Sequence, residues 1–370
     1  MQASTEVLIL GGGPAGLAGA IALRQRDVEC TVVEALAPGI DKACGEGLMP
    51  DALEALSGLG VTVTAADGYG FRGIRFINRR DRVEGLFPRG AGIGIRRPRL
   101  HALLVARAEA AGARLRWESR VKLLGRNSAL LNGEPMSFRW LVGADGHASS
   151  VRRWAGLDGA TQENARYGFR RHYRVRPWSK YVETYWGPGG QFYVTPVAFD
   201  CVCVVYISRR TKVNVDTALE SFPELAERLR GVEMVSQQRG AVSATKKLRR
   251  VVDGSVALLG DASGSADSIT GEGLAMTFRQ ALALADAVAA GSLANYGREH
   301  RRIGELPHAM GQLMLTLDRW PALEARALRA LAARPELFAD LLSVHGGAKS
   351  RLGFVLTGGP RLGWSLLRPA

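Results

Sequence analysis

The stretch "VLILGGGPAGLAGAIALRQRDVECTVVEA", residues 7–35, combines an apolar run, a cluster of glycines, a helix-forming segment and a second apolar run. Short apolar runs bounded by turn residues are typical of buried strands. Gly11, Gly13 and Gly16 fit the pattern GxGxxG where the first strand would turn into the helix. The stretch therefore predicts one strand–helix–strand unit at the start of a nucleotide-binding domain.

The glycine spacing matches what a dinucleotide needs from a protein backbone. The first glycine permits a tight turn, the second lets the backbone approach a pyrophosphate, and the third lets the helix pack closely on the sheet. We assign Ala15 to the same phosphate-binding turn. Glu34 ends the second strand, where an acidic side chain accepts hydrogen bonds from an adenosine ribose. The motif predicts a dinucleotide, and by itself it does not distinguish FAD from NAD.

Composition indicates a globular protein of one or two domains, because 46% of the 370 residues are hydrophobic and 23% are charged. No apolar run approaches the roughly 20 residues that span a bilayer, and the N-terminal segment lacks the pattern of a secretory signal. We expect a cytoplasmic monomer or dimer. The four cysteines show no CxxC spacing, so we expect free thiols and no metal site.

The chain is strongly basic, with a formal net charge of +14. A positive surface attracts nucleic acid, anionic membranes and acidic ligands alike. The sequence contains no RNP-like aromatic pattern, zinc-finger spacing or long Lys/Arg block, so we expect no nucleic-acid partner. Peripheral contact with a membrane and attraction of acidic ligands both stay open.

Hydrophobic periodicity predicts the remaining elements. Helices are expected at residues 98–112 and 274–291, and two or three amphipathic helices at 300–358. Alternating, aromatic-rich segments at 165–250 predict an antiparallel sheet, interrupted by a helical piece at 217–231. The pattern predicts an interleaved two-domain α/β protein with a helical C-terminal section.

Two later segments carry a family resemblance. "WLVGADGHASSVRR" (140–153) and "VALLGDASGSADSITGEGLAMTFRQA" (256–281) resemble the DG and GD motifs of the FAD-dependent group A flavoprotein monooxygenase and geranylgeranyl reductase superfamily, which has the p-hydroxybenzoate hydroxylase fold. With the glycine motif, the resemblance covers the chain from residue 6 to about residue 290. It implies FAD as the cofactor and NAD(P)H as a transient electron donor. No second GxGxxG unit is present for a separate nicotinamide domain.

The resemblance implies an α/β fold in which an FAD-binding Rossmann-like domain is interleaved with an antiparallel-sheet substrate domain, plus a helical C-terminus. We predict the FAD-binding domain at 1–75, 95–165 and 251–300, the substrate domain at 76–94 and 166–250, and the helical section at 301–370.

The same resemblance implies roles around the cofactor. Asp261 would meet the FAD ribityl chain, and the helix after Gly271 and Gly273 would direct its N-terminus at the flavin. A helix N-terminus carries partial positive charge and free N–H groups, which stabilise a reduced flavin. Asp145 would order the loop behind the cofactor, with a simple turn residue as the alternative. Arg97 matches an arginine near FAD, with a surface arginine as the alternative.

A second loop, "ACGEGLMP" at 43–50, resembles the geranylgeranyl reductase branch. The resemblance places this loop by the flavin ring and assigns its cysteine a role in the reaction. We predict Cys44 and Glu46 as catalytic residues, because a thiol beside flavin can donate a proton to a developing carbanion. The alternatives for Cys44 are a polar wall and a redox bystander. Gly264 and Ser268 stand where the hydroxylases of this superfamily usually have histidine and proline.

The aromatic strand region is predicted to form the substrate pocket. By resemblance, "YVTPV" (193–197) faces the flavin ring, and ordinary core packing is the alternative. Because side chains alternate along a strand, only some of these residues can face the ligand. The predicted pocket residues are Tyr185, Phe192, Tyr193, Thr195 and Pro196.

Two reactions stay open. The first is oxygenation of a lipophilic aromatic or alkene molecule through a hydroperoxide of the reduced flavin. The second is reduction of C=C bonds in a prenyl or related lipid, with Cys44 as the proton donor. We favour the first, because the "SSVRR" ending of the DG segment resembles the hydroxylases. The CGEG loop favours the second.

Overall fold

The computed structural model describes residues 3–159, 161–347 and 349. Within these residues the strands are β1 (Ala3–Leu10), β2 (Cys30–Val33), β3 (Gly47–Leu48), β4 (Tyr69–Phe71), β5 (Gly73–Ile77), β6 (Arg82–Leu86), β7 (Gly92–Gly94), β8 (Arg114–Arg116), β9 (Val121–Gly125), β10 (Ser128–Leu131), β11 (Glu134–Gly143), β12 (Thr161–Tyr173), β13 (Tyr181–Gly187), β14 (Gly190–Ala198), β15 (Cys201–Ser208), β16 (Arg239–Lys247), β17 (Val252–Asp253) and β18 (Val256–Leu258). The α-helices are α1 (Pro14–Arg24), α2 (Pro50–Gly58), α3 (Arg97–Ala110), α4 (Ser150–Trp154), α5 (Val215–Leu219), α6 (Pro223–Leu229), α7 (Gly273–Ala289), α8 (Ala294–Arg319), α9 (Pro321–Ala333) and α10 (Pro335–His345).

The first sheet is built around β1, which pairs in parallel with both β2 and β11. Its main path runs β17-β18-β11-β1-β2-β8, and β9 and β10 extend it from β11. The predicted strand–helix–strand unit is β1–α1–β2. Pro14 occupies the first turn of α1, where its missing N–H has no partner to lose. Helix α1 packs against α7 and α3.

The second sheet runs β16-β12-β15-β14-β13-β5-β6 and is antiparallel except for the β13–β5 pair. The helical piece predicted at 217–231 is two short helices, α5 and α6. Pro223 begins α6, because its fixed φ suits the first position of a helix. Its ring also disfavours the helical conformation in the preceding residue, Phe222. The predicted fold class is confirmed: a mixed sheet with a parallel centre alternates along the chain with a mostly antiparallel sheet.

Helices α8, α9 and α10 form the helical C-terminal region, and α9 and α10 contact β6 of the second sheet. The predicted helices at 300–358 are therefore present as far as the described residues reach. The part of that prediction beyond residue 349 lies outside them. Among the described residues, no helix has the length and apolar character to cross a membrane. The domain bounds stay a prediction. Strand β5 of the second sheet begins at Gly73, within the range 1–75 that was predicted for the FAD-binding domain.

A third, small sheet is formed by β3, β7 and β4, and its strands β4 and β7 contact β14 of the second sheet. Strand β3 directly follows the Cys44 loop, and β7 directly precedes α3. This sheet brings the Cys44 loop, the start of α3 and the second sheet together at one place.

Candidate active site

One large cavity, about 1080 Å³ in volume, is lined by both large sheets and by the C-terminal helices. Ligand pockets are usually about 300–1,000 Å³, so this cavity lies just above the upper end of that range. Most of the predicted site residues line it: Gly11, Gly13, Ala15, Glu34, Cys44, Glu46, Arg97, Asp145, Tyr193, Thr195, Asp261, Gly271 and Gly273.

The glycine turn is built by close backbone contacts. Gly11 has a φ of +115°, and a Cβ there would lie 2.4 Å from the Ala144 carbonyl oxygen. A Cβ on Gly16 would lie 1.8 Å from the Gly11 oxygen, so Gly16 supports the turn without lining the cavity. A Cβ on Gly13 would meet no atom within 4 Å. The backbone at Gly13 therefore faces open cavity, as pyrophosphate binding requires.

Glu34 is held at the edge of this turn by backbone donors. Its Oε2 accepts a hydrogen bond from the Gly12 N–H at 2.7 Å, and its Oε1 accepts one from the Leu36 N–H at 3.0 Å. Carboxylate oxygens accept several hydrogen bonds, so both oxygens retain capacity for ribose hydroxyls.

The two later motifs lie beside the glycine turn: a Cβ on Gly11 would lie 3.0 Å from the Asp145 nitrogen, and one on Gly260 would lie 2.7 Å from the Ala15 Cβ. Asp145 accepts hydrogen bonds from the backbone N–H of Ser150 at 2.6 Å and of Val151 at 3.2 Å, which fixes the start of α4. Asp261 pairs with Lys42 of the Cys44 loop at 3.1 Å. A single ion pair thus joins the GD loop to the loop that carries Cys44.

Cys44 is half-buried and its thiol lies at the cavity wall. Its Sγ accepts a hydrogen bond from the Glu46 N–H at 3.4 Å and one from Arg97 Nη1 at 3.8 Å. Two donors therefore fix the sulfur at the junction between this loop and α3.

Glu46 is buried and fully engaged. Its Oε1 accepts hydrogen bonds from the Arg97 N–H at 3.0 Å and from Arg170 Nη1 at 3.1 Å. Its Oε2 lies 2.7 Å from His172 Nε2. Glu46 has a φ of +58°, a conformation that is unfavourable for residues other than glycine. Such a conformation persists only when surrounding contacts hold it in place. These contacts hold the backbone and position the loop.

Arg170 is the cation at the centre of this cluster. It also makes two hydrogen bonds to Asp41, at 2.7 and 2.8 Å. Burial lowers the pKa of Arg170, but the hydrogen bond with Asp41 and the charge of Glu46 outweigh burial and raise it. Sequence reasoning missed Arg170, Asp41 and His172 because their contacts join β12 to a loop more than a hundred residues away.

Ligand-type atoms of Glu46, His172 and Cys203 lie within 4.8 Å of one another. Burial, and then the charge of Glu46, raise the pKa of Cys203 well above its ordinary value. Arg170 already supplies the positive charge that Glu46 needs, and the geometry is that of an ion-pair cluster.

The donors at the cavity fit FAD. Arg97 lines the cavity, and its buried Nε has no hydrogen-bond partner among the described residues. A Cβ on Gly273 at the start of α7 would meet no atom within 4 Å, so this helix N-terminus faces open space. An unpartnered guanidinium N–H and a helix N-terminus suit the phosphates and the carbonyl-rich ring of FAD.

Three predicted pocket residues do not line the cavity: Tyr185, Phe192 and Pro196. Tyr185 and Phe192 are directly paired across β13 and β14, which puts both on the same face, where they pack beneath α5 and α6. Tyr193 and Thr184, the next pair, lie on the cavity face. The alternation of side chains along the strands thus places Tyr185 and Phe192 on one face and Thr184 and Tyr193 on the other. Pro196 lies with its carbonyl against Gly94 in the small sheet.

Helices α8–α10 supply an apolar chamber that the sequence predicted only as amphipathic helices. We call this part of the cavity the apolar chamber; its helical wall consists of Met310, Leu313, Met314, Leu317, Leu328, Leu331, Phe338, Leu341 and Leu342. His345, at the end of α10, also lines the cavity and was not predicted as a site residue.

Comparison with known proteins agrees with this site. The family described as "FAD binding domain" matches residues 4–293. The chain is 29% identical over 167 residues to menaquinone reductase of Mycobacterium tuberculosis, a match that covers 41% of each protein, less than half of either length. It is 25% identical over 337 residues to digeranylgeranylglycerophospholipid reductase 1 of Methanothermobacter thermautotrophicus, covering 82% of each.

Solved structures share the fold. A flavoprotein/dehydrogenase from Cytophaga hutchinsonii superposes with a TM-score of 0.85 at 18% identity, covering 98% of both chains. The structure of pqsL from Pseudomonas aeruginosa, "a probable FAD-dependent monooxygenase", superposes with a TM-score of 0.69 at 21% identity, covering 90% of this chain and 97% of that one. With the fold, the glycine turn and the family match in agreement, the chain belongs to the family described as FAD binding domain.

Proposed function

We propose that the protein is an FAD-dependent monooxygenase that hydroxylates or epoxidises a lipophilic aromatic or alkene molecule, with NAD(P)H as the reductant. The observation that supports this most directly is the single cavity that joins the glycine turn, the Cys44 loop and the apolar chamber. Reduced FAD, when bound, supplies either activated oxygen or hydride to a substrate beside it.

The apolar chamber supports a lipophilic substrate. Oxygenation demands positioning and exclusion of water more than acid–base side chains. The helical wall offers aliphatic, aromatic and thioether side chains, and thioethers adapt to ligands of different shape. We propose that this wall positions the substrate and keeps water from the reacting atoms.

Glu46, predicted as a catalytic residue, is proposed here to act through other residues. Both of its oxygens bind partners within the buried cluster, and the carboxylate side chain is completely inaccessible to solvent. A general base must reach the proton that it removes. We infer that Glu46 positions Cys44 and the N-terminus of α3.

A second candidate function, reduction of C=C bonds, is favoured by the placement of Cys44. Its thiol lies at the cavity wall within reach of Arg97, so it could transfer a proton to a substrate carbon in the same cavity. The two named reductases support this candidate, whereas the named monooxygenase structure supports the first.

Product mass separates the two functions. The FAD-loaded protein is incubated with NADPH or NADH and with either para-octylphenol or geranylgeraniol, in air and under argon. Monooxygenation predicts a product heavier by one oxygen atom, formed only in air. Reduction predicts a product heavier by two hydrogen atoms, formed under argon. Purified protein that binds no FAD would contradict both functions.

The variant Cys44→Ser tests the role of the thiol. If Cys44 donates the proton, this change lowers C=C reduction by about 100-fold, the lower end of the usual contribution of general acid catalysis. Oxygenation does not use the thiol, so its rate is expected to change less than about three-fold. Flavin absorbance of the purified variant is the control for an intact site. Undiminished reduction would remove Cys44 from the mechanism.

A further inference from the structure

His345 places a polar side chain at the cavity that contains the apolar chamber, and its Nε2 atom has no hydrogen-bond partner among the described residues. It ends α10, its side chain is 9% exposed, and it lines the cavity. Its Nε2 atom is buried and forms no hydrogen bond with any described residue. A buried nitrogen without a partner is costly, and because His345 lines the cavity, a ligand in the cavity is a candidate partner for it.

Groups from three other segments surround the ring of His345. Glu272, buried at the start of α7, places Oε1 3.7 Å from Nδ1. Burial lowers the pKa of His345, whereas the charge of Asp51 of α2 and a hydrogen bond between the ring and the Thr270 backbone act in the opposite direction. Asp51 is itself paired with Arg279 at 3.2 Å. The net direction is downward, so the ring is neutral near pH 7.

The neighbouring carboxylate decides where the single proton of the neutral ring resides. A carboxylate beside Nδ1 favours the proton on Nδ1, which leaves the lone pair on Nε2. His345 therefore presents an acceptor to the chamber. Two hydroxyl groups of residues that line the cavity are already engaged as donors: Tyr193 donates to Gln191 at 2.8 Å and Thr270 to the Asp267 carbonyl at 3.4 Å.

We propose that His345 Nε2 accepts a hydrogen bond from a hydroxyl group of the substrate, and that Glu272 orients the ring for this contact. The inference rests on the proposed function and narrows its substrate to an apolar molecule with a phenolic or alcoholic hydroxyl. The contact anchors the polar end of the molecule beside the turn at 270–272, next to the N-terminus of α7. His345 is a specificity-determining contact, and the proposal assigns it no covalent step.

Paired probes test the anchor by binding alone. The FAD-loaded protein is titrated with para-octylphenol and with para-octylanisole, in which a methyl ether replaces the hydroxyl donor. Binding is measured from tryptophan fluorescence and from the shift of the flavin absorbance. We expect the phenol to bind about ten-fold more tightly, because an unsatisfied buried acceptor costs at least one hydrogen bond.

Three variants locate the effect. His345→Phe is expected to weaken phenol binding about ten-fold and to leave anisole binding unchanged. His345→Gln retains an acceptor and is expected to restore at least half of the discrimination on a logarithmic scale. His308→Phe is the matched control: it is also a partly buried histidine of the C-terminal helices, but it does not line the cavity. It should leave both affinities within two-fold of wild type.

Equal affinity of the wild type for both probes, or no saturable binding of the phenol, would overturn the anchor. Equal weakening of both probes by His345→Phe would also overturn it, because that result indicates lost packing alone. Circular dichroism identifies an unfolded His345→Phe variant, and His345→Gln then decides. If the protein does not discriminate between the two probes but still forms an oxygenated product, the hydrogen bond to His345 is contradicted and the proposed function stands. Discrimination without turnover would leave the anchor intact and contradict the function.

Discussion

The glycine turn and the Cys44 loop line the same cavity but are held in different ways. Gly11 and Gly16 leave no space for a Cβ, because the Ala144 carbonyl lies against Gly11 and the Gly11 carbonyl lies against Gly16, so close backbone contacts define the turn. The Cys44 loop is held from outside by Arg170 and His172, both on β12 of the other sheet. Local sterics shape the first wall, and buried charges from a distant strand shape the second.

This difference teaches where each wall is vulnerable. A turn defined by sterics tolerates changes of charge and fails when volume is added. A loop defined by buried ion pairs fails when one charge is removed, since its partner is left uncompensated in the interior. The following predictions test this contrast through the free energy of unfolding.

The largest effect is expected for Arg170→Leu, which leaves Glu46 and Asp41 without their shared cation. Removing one partner of a buried ion pair costs about 3–5 kcal/mol. Chemical denaturation of both proteins measures the change. Arg171→Leu is the matched control on the same strand: its partner Asp216 is 69% exposed, and exposed pairs contribute about 0–1 kcal/mol. Equal losses in the two variants would contradict the charge-held loop.

The second prediction concerns the dependence of stability on pH, because a neutral histidine, His300, bonds to the GD loop. His300 Nε2 bonds Ser263 Oγ at 2.8 Å, and burial lowers the pKa of His300 from 6.5 to about 4. Between these values the unfolded chain binds a proton that the folded protein does not, so stability falls as pH falls from 6.5 to about 4. The loss is on the order of 3 kcal/mol in total.

Denaturation curves of wild type and His300→Gln across this pH range measure that loss by difference. The variant should lack the His300 contribution, while Asp41 of the charge-held loop affects both proteins alike. Hydrogen bonding to Arg170 lowers the pKa of Asp41 below 3.8, so its contribution is lost only at still lower pH. Parallel curves for the two proteins would show that His300 does not titrate in this window.

The smallest effect on stability is expected for Gly16→Ala, at about 1–3 kcal/mol, because the added methyl group meets the Gly11 carbonyl. Gly13→Ala is the control, since its methyl group would point into open cavity and should leave the unfolding free energy unchanged. It should still weaken FAD binding, measured by titration of the apoprotein followed through flavin fluorescence. Equal stability of the two variants would contradict the steric account of the turn.

Much of the fold was predictable because its signals are local. The glycine turn, β1–α1–β2 and α3 and α7 follow from periodicity and from turn residues close together in sequence. The split of the 217–231 segment at Pro223 was also readable from proline chemistry, although we predicted one helical piece.

The candidate site was less predictable. Strand alternation warned that some aromatic residues would face away, but it did not say which face packs on α5 and α6. Only the register of β13 against β14 assigns Tyr185 and Phe192 to that face. His345 carried no signal at all, because its relation to Glu272 exists only after α10 packs on the turn that precedes α7.

The sequence by itself determined that the chain forms a dinucleotide-binding unit, because the strand, the glycine turn and the helix lie within one short stretch, in which Gly16 packs against the carbonyl of Gly11. Tertiary structure decided how Cys44 is held and which groups face the apolar chamber. Those arrangements depend on charges and helices that are distant in sequence, and packing alone brings them into contact.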